Sequence, residues 1–122
     1  MGLYDRFLLY EGRHYSIFFH SQNGYYSEVY EYFEQCDAVT QAGLLFLAIR
    51  RGDVGRILDP TRFRVEDKEN KICVFKPKQE RFFCFFFAGK TIVITSGCRK
   101  QKQKLDKNEL MKAIKIRRQY FN

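Results

Sequence analysis

Residues 82–96, FFCFFFAGKTIVITS, leave the chain few choices. Phe82–Ala88 is apolar at every position, too uniformly for anything but a buried strand. Gly89 breaks the run, and Thr91–Ser96 is β-branched at five of six positions, which suits a second strand. Ala88-Gly89-Lys90 then reads as a short hairpin loop, with glycine supplying the φ > 0 residue.

Within residues 76–104, the charge outside this apolar hairpin is almost all positive. Lys76, Lys78, Arg81, Lys90, Arg99, Lys100, Lys102 and Lys104 stand against Glu80 alone. If 88–90 is the loop, Phe87 faces Thr91 and Arg81 falls opposite Gly97. If Pro77–Glu80 turns the preceding hairpin, Lys76 faces Arg81. Directly opposed residues have Cβ atoms about 4.5–5.5 Å apart, where like charges destabilise. Lys76, Arg81 and the Arg99–Lys100 segment are thus expected at one edge of the sheet. A fold gains nothing by collecting cations, so the cluster marks a functional site for an anion.

The rest of the chain agrees. Its 122 residues make one domain, 1–122, and 45% hydrophobic content supports a core. Residues 1–60 carry five Arg and eight Asp/Glu, net −3, whereas 61–122 carry seventeen Lys/Arg and six Asp/Glu, net +11. That asymmetry points to a polyanionic partner for the second half. The four cysteines contain no C-x-x-C pair, His14 and His20 lie six apart, and no metal site or cofactor is expected. No phosphate-cradling glycine loop, G-x-S-x-G or H-E-x-x-H occurs. Charges interrupt every apolar run near the N-terminus and nothing is long enough to span a bilayer. The expectation is a reduced, cytoplasmic protein with no membrane partner.

In chain order, residues 1–11 are either a short strand or a loosely ordered extension. Tyr15–His20 is a strand candidate. Tyr26, Val29, Tyr30 and Phe33 repeat at helical spacing. Asp37 caps a second helix with Ala42, Leu45, Phe46 and Ile49 as its apolar stripe, and Gly52 is its expected stop. Phe63–Val65 and Lys71–Lys76 are strands. Asp106-x-x-Glu109 opens a last helix reaching about Phe121, with Leu110, Ala113, Ile114 and Phe121 inward and Asn108, Lys112, Lys115 and Gln119 outward. The expected class is α+β: an antiparallel sheet of three to five strands, two N-terminal helices and a C-terminal helix, packed mainly on one face.

Residues 71–121 also resemble the phage-derived, HigB-like branch of the RelE/ParE toxin superfamily. The resemblance rests on Phe75-Lys76-Pro77, Arg81, Cys84-Phe85-Phe86, Gly97, Lys100, Lys104 and Arg117-x-x-Tyr120. Cys98 replaces the usual aromatic, Gln101 the second lysine of a pair, and Asp106 a common proline. The resemblance implies a RelE-like fold and the toxin of a toxin–antitoxin pair. Such a toxin cleaves translated mRNA on the ribosome and is held silent by a helix-turn-helix antitoxin. RNA carries its own nucleophile, the 2′-OH, so a metal is not obligatory. Arg81, Lys76 and Lys100 are then the catalytic candidates, and Lys78, Arg99, Lys102, Lys104, Lys112, Lys115 and Tyr120 the RNA-binding ones. Two alternatives stand beside this one: a catalytically silent nucleic-acid-binding module, and a ParE-like interaction protein that poisons a topoisomerase.

Overall fold

A computed structural model describes residues 6–100 and 107–121 and is built outward from the hairpin. Strands β5 (Glu80–Phe87) and β6 (Thr91–Arg99) pair antiparallel, with Phe87 opposite Thr91. Phe82, Cys84, Ile92 and Ile94 face one layer and Phe83, Phe85 and Val93 the other, all at 0% exposure. Strands buried on both faces belong inside a sheet with helices on either side. Accordingly β4 (Ile72–Phe75) and β3 (Phe63–Asp67) extend the hairpin on the β5 side. On the β6 side lie β2 (Ser16–His20) and β1 (Arg6–Glu11), giving a six-stranded sheet in the order β1-β2-β6-β5-β4-β3.

Local sequence sets the helix starts. Helix α1 (Glu28–Gln35) is capped by Ser27, whose hydroxyl accepts from the Tyr30 N–H at 3.1 Å and donates to the His20 carbonyl at 2.6 Å. Helix α2 (Ala38–Asp53) is capped by Asp37, which accepts from the Thr40 N–H at 2.7 Å. Val29 and Phe33 of α1 and Leu44, Leu47 and Ala48 of α2 pack with Ile17, Phe19, Phe75, Phe82 and Cys84. Helix α3 (Lys107–Tyr120) covers the other face, where Ala113, Ile114, Ile116 and Tyr120 meet Ile72, Val74, Phe83, Phe85 and Val93. Phe121, expected inward, is half-exposed, and Tyr120 is buried in its place. Asp106, the expected cap of α3, lies outside the described residues.

The RelE-like layout expected from the resemblance is overturned. The sheet has six strands rather than three to five, two of them precede α1, and β2 runs parallel to β6. The helices cover both faces instead of one. The reason is the hairpin itself: with both faces apolar, one layer of helices would leave Phe83, Phe85 and Val93 in water. Residues 6–11 resolve as the edge strand β1, paired with β2 through Phe7 opposite Phe19 and Leu8 opposite Phe18.

Two details of α2 also differ from expectation. The helix carries apolar residues on opposite sides, and its buried side is Leu44, Leu47 and Ala48, while Leu45, Phe46 and Ile49 are 39%, 55% and 36% exposed. Gly43 selects that side, since its missing Cβ lets Pro77 approach to within 3.3 Å of where one would stand. Gly52 does not stop the helix. It is buried inside the last turn, and its carbonyl accepts from the N–H groups of His14 and Tyr15. The left-handed residue after the helix is Gly55, at φ 92°.

Replacing Ser27 by alanine removes the cap of α1 and leaves its buried donors and acceptors short of a partner. Chemical denaturation is expected to show a loss of about 1–2 kcal/mol. Acid should also weaken the fold. Asp37, Asp53, Asp59 and Asp67 all lie below the ordinary carboxyl value of 3.8, held there chiefly by hydrogen bonds from Thr40, Tyr10, Thr61 and Asn70 respectively. Depressed folded values mean stability that is present above about pH 4 and lost as the pH falls through the folded values. Thermal melts between pH 6 and pH 2 should show this decline, and Asp37→Asn should flatten it.

Candidate nucleic-acid interface at the β4–β5 turn

The β4–β5 turn is built by Pro77, which is buried against α2, and by Lys78 in the left-handed region at φ 54°. Glu80 N–H donates to the Pro77 carbonyl at 3.1 Å, and the Lys100 N–H donates to the Gln79 carbonyl at 2.7 Å. The end of β6 is thereby fastened to the turn. A bulge completes the arrangement. Phe83 pairs with Ser96 but Cys84 with Ile94, leaving Thr95 as the extra residue. Beyond it the register is one residue off the simple count, so Arg81 opposes Cys98, not Gly97, and Glu80 opposes Arg99.

Alternation divides these side chains between the two faces. On the side shared with α3 lie Arg64, opposite Val74, then Lys76, Arg81 and Lys100. Lys76 is 9% exposed, and its Nζ donates to the Pro60 carbonyl at 3.1 Å while its N–H donates to the Arg62 carbonyl at 2.8 Å. Burial pushes its pKa below the ordinary lysine value, and Arg64, Arg81 and Lys100 push it further. Arg81 Nη1 donates to the carbonyls of Lys78 at 3.1 Å and Glu80 at 2.9 Å. Burial, then Arg64, lowers its pKa as well, though an arginine stays charged at any physiological pH. Among the described residues only Glu66 forms an ion pair with this group, through Arg64 at 3.1 Å. The structure therefore brings together the three residues expected to be catalytic, graded from buried Lys76 through half-buried Arg81 to exposed Lys100.

The α1 side holds a different set. Glu80 is 6% exposed and accepts from the Tyr32 hydroxyl and from Arg99 Nη1 at 2.8 Å. Burial, then the bond to Glu80, raises the Tyr32 pKa far above the ordinary phenol value, so Tyr32 stays a donor. Arg99, expected on RNA, is thus engaged with a carboxylate. Tyr32 reaches Glu80 because Gly97 has no side chain, a Cβ there lying 2.7 Å from the Tyr32 ring.

The remaining candidates are dispersed. Lys78 is exposed on the turn. Lys112 pairs with Glu28 at 2.9 Å and Glu109 at 3.5 Å, joining α3 to α1. Lys115 lines a groove with His20, Glu28 and Tyr120. Tyr120 is buried at 3% exposure, its ring against Phe85 and Phe87 and its hydroxyl 2.8 Å from His20 Nδ1. Phe85 lies four residues along β5 from Arg81, about 13 Å at strand rise. That distance makes Tyr120 a core residue rather than an RNA contact. Lys102 and Lys104 lie outside the described residues.

Sequence reasoning missed Arg64, Glu80 and Tyr32 as members of this edge. Glu80 was legible as the lone acid among cations, and Gly97 as the gap that admits a ring. Arg64 sits two strands away, and nothing local announces it.

Among the described residues no group of three or more His, Cys, Asp or Glu could hold a metal ion, and no helix is long and apolar enough to cross a membrane. The fold and the site together define a mixed sheet clad by helices on both faces, with a cationic rim able to take an anion. No family model matches the chain, and no curated protein shows significant similarity to it.

Removing the Tyr32 hydroxyl deprives a buried carboxylate of one of its two donors. Tyr32→Phe should cost about 1–3 kcal/mol in denaturant unfolding, and Glu80→Gln in the same background should recover part of it. An unchanged Tyr32→Phe midpoint would show that the hydroxyl does not stabilise the Glu80 side.

Proposed function

We propose that this chain is a metal-independent endoribonuclease of the toxin type, acting in the cytoplasm on mRNA bound to the ribosome. One observation carries the proposal: Arg64, Lys76, Arg81 and Lys100 gather at one sheet edge, and both Lys76 and Arg81 spend their hydrogen bonds on neutral carbonyls. Their charge is left for an external anion. The motifs from Phe75 to Tyr120 support the ribosomal setting and a helix-turn-helix antitoxin as silencing partner. The architecture does not add to that part of the reading.

In the reaction the RNA 2′-oxygen attacks the adjacent phosphorus. The bond to the 5′-oxygen breaks and that oxygen takes a proton from Lys76, while water takes the 2′-OH proton, leaving a 2′,3′-cyclic phosphate and a 5′-hydroxyl. Arg81, with its planar fork, and Lys100 face the phosphate and neutralise the charge that develops on it. Lys76 is the group for proton transfer. Burial and the cations around it lower its pKa, which eases the release of its ammonium proton to the departing 5′-oxygen.

A second reading has its own observation. Lys76 is buried and tethers the Pro60–Arg62 segment, a structural task in itself. On that reading the rim binds RNA phosphates without cutting.

Arg81 separates the two. Arg81→Ala should stay folded and lose about 10²–10³ in cleavage rate, read by mapping mRNA 5′ ends in a purified translation system. Arg81→Lys should lose nearly as much, because transition-state geometry needs the fork while simple phosphate attraction does not. Wild-type protein that binds RNA but leaves its 5′ ends unchanged establishes the silent binder. A folded Arg81→Ala protein that cuts at full rate removes this edge as the site.

A further inference from the structure

In helix α2 sequence and surroundings disagree. Its buried side contacts the sheet, yet Val39, Leu45, Phe46, Ile49 and, past the helix end, Val54 form a second apolar surface, with Phe46 at 55% and Val54 at 53% exposure. On a helical wheel Val39, Leu45, Phe46 and Ile49 fall nearly opposite Leu44, Leu47 and Ala48. Apolar sides of a helix are normally buried. Here one side is not, and a contiguous apolar patch of this kind marks an interaction site.

Two residues of the patch, Phe46 and Val54, also border a groove. Phe46, Leu47 and Val54 form one wall of this groove of about 500 Å³, and Ile57 and Leu58 of the following loop form the other. Leu58 is 79% exposed above it. Arg50, Arg56 and Arg62 line the same groove, against Asp59 alone. All three arginines are exposed, and none forms an ion pair among the described residues. The Asp59 carboxylate is engaged by the N–H and hydroxyl of Thr61. From Val39 to Val54 the stripe is about 22 Å long, which matches a helix of four turns.

We propose that this groove receives an amphipathic helix from a partner protein, with apolar side chains in the groove and acidic residues along its flanks. Charge and shape select that occupant. A second copy of this chain would bring one arginine rim against another, which disfavours a symmetric pair. A flat lipid surface would not fill a groove walled by a helix and a loop. A helix laid into a groove with anchors at i, i+3, i+4 and i+7 does both. The groove meets the cationic rim at Arg62, whose carbonyl accepts from the Lys76 N–H, but it does not depend on the ribonuclease reading.

The test uses the full chain and a fluorescein-labelled 18-residue peptide with Leu and Phe at the anchor spacing and Glu on the flanks. Fluorescence anisotropy should show saturable binding. A peptide with Lys in place of Glu, and a scramble of the same composition, should each bind at least tenfold more weakly. Phe46→Ser and Ile49→Ser lie at the surface and should retain the wild-type circular dichroism while weakening the acidic peptide at least tenfold. Arg50→Glu with Arg56→Glu should reverse the preference between the two charged peptides. Three results would overturn the proposal: equal binding of acidic peptide and scramble, or none; a concentration-dependent dimer in sedimentation that Phe46→Ser abolishes; or binding to phosphatidylglycerol vesicles that Phe46→Ser abolishes while the peptide does not bind.

Discussion

The β5–β6 hairpin is apolar on both faces, and the remainder of the molecule meets that condition. Seven of its side chains have no contact with water. A sheet centred on such strands needs cover above and below, so α1 and α2 take one face and α3 the other. It also needs neighbours on both edges, and β4 and β2 supply them. The outer strands can then afford charge: β3 carries Arg64, Glu66 and Asp67, which discourage further pairing at that edge.

The cationic rim is a by-product of the same hairpin made useful. Beyond the Thr95 bulge, alternation sends Glu80 to the side that α1 covers through Tyr32 and Arg81 to the other. On the Glu80 side the charge is closed by Tyr32 and Arg99, as a buried carboxylate requires. On the Arg81 side it is left open, with Lys76 partly desolvated beside two arginines. Apart from the Lys76 bonds to Pro60 and Arg62, nothing in stability asks for that second arrangement, and the contrast across one strand is what motivates the proposed site.

How much of this was legible depends on the range of the interaction. The Asp37 cap and the Gly89 turn were, because Asp37 acts on Thr40 and Gly89 acts on its own backbone, whereas the Ser27 cap and the passage of α2 through Gly52 were not. The meeting of Lys76, Arg81 and Lys100 was too, since hairpin geometry needs only a count along the chain. The parallel pairing of β2 with β6 was not, because no local signal chooses an edge for Ile17 and Phe19. The RelE-like layout failed for the same reason: the motifs that suggested it span the second half, while the architecture is decided by where residues 6–20 dock. In α2, periodicity found an apolar stripe but not the buried one, since both sides qualify and Gly43 against Pro77 settles the choice. The Thr95 bulge moved Arg81 by one position and preserved its company.

The parallel junction between β2 and β6 also bears on how the chain reaches its fold. Ser16 pairs with Thr91, so the junction closes a loop of about 75 residues, and that entropy must be met before the pairing returns anything. The β5–β6 hairpin, by contrast, closes over three residues. The order this favours is nucleation late in the sequence, with the amino-terminal strand pair arriving afterwards as a flap. During synthesis the first strands leave the ribosome well before their partner exists. Ile17, Phe19 and the exposed edge of β2 must therefore wait unpaired, a long-range contact order that slows folding and lengthens the interval in which the new chain is open to aggregation.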